Sequence, residues 1–183
     1  LTVDPVVTAS QIVVALQSIV SRTADPVSAI VVSVTSFVTS STAYNVIPDT
    51  VELRGTIRTL TPENRKMAED KIKSIPVSIA TAYGAEAQVT YHSNYPPTIN
   101  APDQTEFAAS VARSVSGDCA EAEITMGGED FSYMLEERPG AYIFMGNGDS
   151  ADVHHPKYNF NDEAIPAGCS WWAGIAEQRM PAG

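Results

Sequence analysis

Val51-Glu52-Leu53-Arg54-Gly55-Thr56-Ile57-Arg58-Thr59-Leu60-Thr61-Pro62-Glu63 decides the fold class of this chain. Val51, Leu53, Gly55 and Ile57 alternate with Glu52, Arg54, Thr56 and Arg58. A period of two gives a strand with one buried and one solvated face. Thr61 then precedes Pro62 and Glu63. A hydroxyl cap, a proline that needs no N–H and an acid in the first turn are how a helix starts. A half-exposed strand thus runs straight into a helix, and both element types share one unit.

The same reading extends toward the N-terminus. Thr2 or Asp4 can cap a helix with Pro5 at its first position. Val6, Ala9, Ile12, Val13, Leu16, Ile19 and Val20 recur at helical spacing, and Asp25-Pro26 stops them. Ser28 to Thr39 is rich in Val and Ile and predicts a strand. The Ser/Thr cluster from Thr39 to Thr42 is a loop, and Asn45-Val46-Ile47-Pro48-Asp49 is a turn.

Toward the C-terminus, the helix begun at Thr61 carries Met67, Ile72 and Ile75 inward. Pro76 predicts a break or kink, with the helix resuming to Tyr83 and closing at Gly84. Ala87 to Tyr91 predicts another strand. The order over residues 4–95 is then α-β-β-α-β, within an α+β fold. A ferredoxin-like unit is β-α-β-β-α-β, so the first strand is missing or lies upstream of Leu1. The proline-dense Tyr95–Pro102 reads as a hinge, which predicts domains over 1–97 and 98–183. The second has an α/β pattern. It predicts a helix over Asp103–Ser116 and strands over Glu121–Thr125 and Ala141–Met145. A helix entered from Gly127-Gly128-Glu129-Asp130 ends near Arg138, Gly146-Asn147-Gly148 is a tight loop, and a last helix spans Ala164–Gln178.

Composition excludes some classes. The 183 residues are 44% hydrophobic and 18% charged, which suits a globular chain. The 22 acidic against 11 basic residues leave a net charge of −11, which argues against nucleic acid as a partner. No continuous apolar run reaches the roughly 18 residues that span a bilayer, so no membrane partner is expected. Cys119 and Cys169 have no CxxC spacing and read as buried or half-buried thiols, in keeping with a cytoplasmic location. The chain opens on Leu1 in mid-phrase and reads as a segment of a longer polypeptide.

Few residues carry obvious chemistry. His154 and His155 are adjacent and precede Pro156. Neighbours on an extended backbone point apart, so one is a candidate metal ligand and the other its neighbour. Equally, a histidine there is an ordinary loop residue. Gly127 and Gly128 stand before a helix start whose free amides could bind a substrate carboxylate, and Glu129-Asp130 could instead complement the helix dipole. Asn45 could donate to an oxyanion and Arg58 could clamp a carboxylate. Taken alone, they read as a turn asparagine and a surface arginine.

The order of these segments adds weight. Asn45–Asp49, Gly55-Thr56-Ile57-Arg58-Thr59, Met126-Gly127-Gly128-Glu129-Asp130-Phe131 and His154-His155-Pro156-Lys157-Tyr158-Asn159-Phe160-Asn161-Asp162-Glu163 follow one another. Together they resemble the amidohydrolase branch of the aminoacylase and carboxypeptidase metallopeptidases, the group that includes hippurate hydrolase. The resemblance covers essentially the whole chain.

It implies a ferredoxin-like lid over 1–97 that mediates homodimerisation. The C-terminal part of a zinc-peptidase-like catalytic domain follows over 98–183. It implies hydrolysis of N-acyl amino acids by a divalent metal pair, zinc or manganese. His154 matches the last metal ligand, with His155 its neighbour, either supporting that ligand from outside the metal's contacts or facing solvent. Asn45 matches a lid asparagine near the scissile carbonyl, and Arg58 an arginine that grips the substrate carboxylate, often in the partner subunit's site. Glu129 falls close to the metal centre without an assigned ligand role. The family's other ligands and its catalytic glutamate lie upstream of Leu1. The chain alone is therefore expected to be inactive. The rival expectation is a non-catalytic lid and dimerisation module.

Overall fold

The computed structural model describes residues 2–180. The chain divides into two compact units, Leu1–Pro97 and Thr98–Gly183.

In the first unit, α1 spans Pro5–Leu16. Asp4 is the cap: its Oδ1 accepts from Val6 N at 2.8 Å and from Val7 N at 3.3 Å. A π-helical turn, Ile19–Thr23, follows. The stretch Pro5–Thr23, with mean hydropathy 1.2, is long and apolar enough to cross a bilayer. That amends the expectation of no such stretch. Its Ile12, Leu16 and Ile19 are buried against Ile30, Val32 and Ala68, which is how a core helix packs.

β1 (Ile30–Thr39) and β2 (Val51–Thr59) form a two-stranded antiparallel sheet. Ile30 pairs with Thr59, Val32 with Ile57 and Val34 with Gly55, but Phe37 pairs with Leu53. Thr35 is therefore an extra residue, a bulge that shifts which side chains face inward by one position. Gly55 sits beside it. A Cβ at Gly55 would lie 2.4 Å from the Ser33 carbonyl oxygen, so the strands close only over a glycine.

α2 runs from Pro62 to Ala82, with Thr61 Oγ1 accepting from Asn64 N at 3.2 Å. Of the break or kink expected at Pro76, no break occurs: the helix continues to Ala82 with Pro76 buried inside it. An interior proline costs about 3 kcal/mol. Met67, Ala68, Ile72, Ile75 and Ile79 of the same helix pack into the core. Each large apolar side chain gains up to about 1.5–3 kcal/mol on burial, so packing outweighs the lost backbone bond.

Beyond Gly84 the chain turns back along α2. Lys73 Nζ lies 5.6 Å from the Tyr91 ring centroid, and the Arg65 guanidinium donates to the carbonyls of Asn94 and Tyr95. Ala85, Ala87, Val89 and Tyr91 are half-buried while Glu86, Gln88, Thr90 and His92 are exposed. This is strand-like alternation, yet no backbone hydrogen bond joins residues 86–93 to another described residue. The strand expected at Ala87–Tyr91 is extended but unpaired. Among the described residues the sheet has two strands, and the observed order is α-β-β-α.

The second unit contains α3 (Pro102–Ser116), α4 (Phe131–Glu137) and α5 (Ile165–Arg179), the last entered through a 3-10 turn at Asp162–Ala164. Ala108 and Val111 of α3 are buried, and Trp171 Nε1 of α5 donates to the Ala108 carbonyl at 3.0 Å. The strands expected at Glu121–Thr125 and Ala141–Met145 are not formed. A strand is defined by its ladder, and neither segment forms a backbone ladder with another described segment. Cys119 is half-buried, as expected, but Cys169 is exposed on α5.

The solvent-accessible surface is 13231 Å². Even two separate compact domains, each about half of 19.5 kDa, would expose only about 10,300 Å² in total. Large apolar side chains account for part of the excess: Ile124 is 84% exposed, Phe144 67% and Trp172 66%.

Candidate functional site

His154 sits on the loop between Asn147 and Asn161. It is the one non-glycine residue with positive φ among those described, at +69°. The left-handed region costs an L-residue roughly 1–2 kcal/mol. Turns hold it there: His155 N donates to Asp152 O at 3.0 Å, and Tyr158 N donates to His155 O at 2.9 Å. The imidazole of His154 is exposed. His155 differs. Its Nδ1 accepts from Lys157 N at 3.1 Å, so that nitrogen is committed to the backbone and the neutral ring carries its proton on Nε2.

Glu129 precedes α4. Its Oε1 accepts from Phe131 N at 3.2 Å, and its carboxylate also accepts from the Tyr142 hydroxyl. The Phe131 amide first, and then the Tyr142 hydroxyl, hold the Glu129 carboxyl below its ordinary range. The same bond, with partial burial, pushes the Tyr142 hydroxyl up. Gly127 and Gly128 are exposed, and α4 has only seven residues. Of the amides at this helix start, that of Phe131 is occupied by Glu129.

Tyr142 is itself held. Its ring centroid lies 5.8 Å from Phe131 and 5.5 Å from Phe144. Asn100 Nδ2 donates to the Tyr142 carbonyl and Asn100 Oδ1 accepts from Tyr142 N, both at 2.8 Å. Neither Asn100 nor Tyr142 was singled out in the sequence. The Pro-rich context of one and the strand-like context of the other hid a contact across 42 residues.

On the first unit, Arg58 lies on β2 opposite Val31, on the sheet face whose residues include the exposed Glu52 and Arg54. Asn45 is exposed in the connection between β1 and β2. Ser40 Oγ ties that connection by accepting from Asp49 N at 3.1 Å and Thr50 N at 3.2 Å.

No group of three His, Cys, Asp or Glu side chains able to hold a metal occurs among the described residues.

The profile described as Peptidase family M20/M25/M40 matches residues 3–178. The chain belongs to peptidase family M20/M25/M40. The family expected from the four ordered motifs is therefore borne out. Among the relatives of this M20 chain, N-acetylcysteine deacetylase of Bacillus subtilis (strain 168) is 33% identical over 95% of the chain and 46% of its own length. Hippurate hydrolase of Campylobacter jejuni is 36% identical over 94% of the chain and 46% of its own length. A solved structure, the Bacillus subtilis YXEP protein described as a dinuclear metal binding peptidase from the M20 family, has a TM-score of 0.77 and 30% identity. It is matched over 95% of this chain and 45% of its own. The M20 chain thus spans less than half the length of these relatives.

Proposed function

We propose that this chain is part of a metal-dependent amidohydrolase that cleaves the amide bond of N-acyl amino acids. The match over residues 3–178 to a family whose relatives include a hippurate hydrolase and an N-acetylcysteine deacetylase carries this reading. A divalent metal pair, when bound, supplies Lewis-acid polarisation of the amide carbonyl and an activated water. His154 holds one metal, and its strained, turn-locked backbone supports a role beyond that of a loop residue. Asn45 donates to the developing oxyanion, and Arg58 orients the substrate carboxylate with its guanidinium fork. The exposed amides at Gly127 and Gly128 bind the substrate carboxylate, beside the Phe131 amide that Glu129 already takes.

The 183 residues alone are inactive on this reading, because the described residues gather no metal centre. The test is turnover of hippurate and N-acetylcysteine with zinc or manganese. The chain is assayed alone, then co-expressed with the part of the Bacillus subtilis deacetylase that it does not match. Activity only in the second case supports the proposal. Robust turnover by the chain alone overturns the incompleteness, and none in either case overturns the amidohydrolase reading.

A second reading has its own support. The first unit works as a ferredoxin-like lid and dimerisation module, and its two-stranded sheet leaves strand edges open to a partner. Light scattering across a concentration series decides it: self-association supports the module, and a monomer at every concentration counts against it.

A further inference from the structure

We infer that Asn147 is a positioning residue, whose side-chain amide clamps the two arms of the 147–161 loop and so fixes how His154 is presented. The inference rests on the reading of His154 as a metal ligand. Asn147 Nδ2 donates to the Asn159 carbonyl at 2.9 Å and to Ser150 Oγ at 2.8 Å, and Asn147 Oδ1 accepts from Asn161 N at 2.8 Å. Both donors and the acceptor oxygen of the amide are therefore in use. Among the described residues, no backbone–backbone bond crosses from one arm to the other. One half-buried side chain does the work of a ladder.

The clamp also reaches α5. Asn161 Oδ1 accepts from Glu163 N at 3.1 Å and starts the 3-10 turn that leads into that helix. Gly148 completes the closure, with φ +74° and an added Cβ only 3.3 Å from Asn161 Nδ2. The loop is thus a compact closed turn of the Ω type, anchored at one end to a helix. Open depressions of ≈ 670 Å³ and ≈ 360 Å³ flank it, and Asn147 lines both. A left-handed non-glycine residue persists only where its surroundings over-determine it. For His154 those surroundings are the two turns at Asp152–Tyr158 and the clamp that closes the loop around them.

The test uses the full 183-residue chain, thermal melting, amide exchange, and NMR of the histidine Cε1–Hε1 groups with Mn²⁺ as the probe. Wild type is compared with Asn147→Ala, Asn147→Asp and an exposed control in the same loop, Asp149→Asn. In wild type, Mn²⁺ broadens His154 ahead of His92. In Asn147→Ala, exchange at the His155 and Tyr158 amides speeds by about tenfold, the scale of one lost hydrogen-bond set. His154 then broadens no more than His92, while the melting point of α3 and α5 stays within a few degrees. Asn147→Asp keeps the acceptor for Asn161 N but cannot donate to Asn159 O, and falls between. The control matches wild type.

Failure of His154 to broaden ahead of His92 in wild type overturns the inference, while the ligand reading itself is decided by the co-expression assay. Wild-type broadening retained in Asn147→Ala overturns the positioning role alone. If Asn147→Ala does not fold, Asn147→Asp decides: reduced selectivity supports the clamp, and wild-type selectivity overturns it.

Discussion

The side chain of Asn100 is bonded through its donor and its acceptor to the backbone of one residue, Tyr142, with two hydrogen bonds of 2.8 Å. Ala101 N adds a third link to Gly140 O at 2.9 Å. An asparagine amide presents a donor and an acceptor side by side, as a neighbouring strand does. Here it stands in for the ladder that residues 140–142 lack. Replacing Asn100 with Ala leaves two half-buried backbone groups unpaired and should cost about 1–3 kcal/mol. Urea unfolding measures it, and a cost below a few tenths would contradict the role given to Asn100.

The bond between Tyr142 and Glu129 makes a prediction about pH. The folded Glu129 carboxyl titrates below its ordinary value, so its contribution to stability is present above the unfolded pKa and is lost as pH falls through the folded one. The Tyr142 hydroxyl titrates above its ordinary value, so its contribution is present below the unfolded pKa and is lost as pH rises through the folded one. In Tyr142→Phe the Glu129 titration should move up toward the ordinary carboxylate range, though not all the way, because the Phe131 amide remains. Carboxyl ¹³C NMR follows it directly. Identical Glu129 titrations in the two proteins would refute the coupling.

His154 should be more costly to the fold than a glycine in its place. His154→Gly removes the left-handed penalty of roughly 1–2 kcal/mol and adds back part of it as unfolded-chain entropy. A net gain of up to about 1 kcal/mol in unfolding free energy is expected. His154→Ala, which keeps the penalty, should show no such gain. Equal stabilities for the Gly and Ala variants would mean that the backbone at 154 carries no strain.

Gly55→Ala should be among the most damaging single changes in the first unit. The new methyl would fall 2.4 Å from a backbone oxygen that cannot swing aside. Overpacking of this kind costs about 1–3 kcal/mol, and the bulge at Thr35 concentrates it between paired strands. Circular dichroism melts of Gly55→Ala and of an exposed control, Thr56→Ala, give the comparison. Similar melting points would show that the strands can spread.

Local chemistry was legible residue by residue. The cap at Thr61, the alternation along β2 and the helical spacing of Ile12, Leu16 and Ile19 depend on neighbours a few positions away. Such patterns survive in a linear reading. Whether the helix breaks at Pro76 or continues through it was not decided by the sequence, because the packing that outweighs the proline comes from the core. Cys169 faces solvent for a similar reason: its burial depends on what covers α5. Asn100 and Asn147 each look like one more loop asparagine, since their partners lie 42 and up to 14 residues away.

The sequence by itself determined which segments are helical, which are extended, and in what order the motifs of Asn45, Arg58, Glu129 and His154 occur. These follow from propensity, periodicity and capping, which act over a turn or two of chain. Tertiary structure alone decided which extended segments find a partner, where β1 bulges, and which polar side chains replace a missing ladder. It also decided that His154 adopts a left-handed backbone. Each of those outcomes depends on hydrogen bonds and packing between residues far apart in sequence, and only the folded chain brings them within reach.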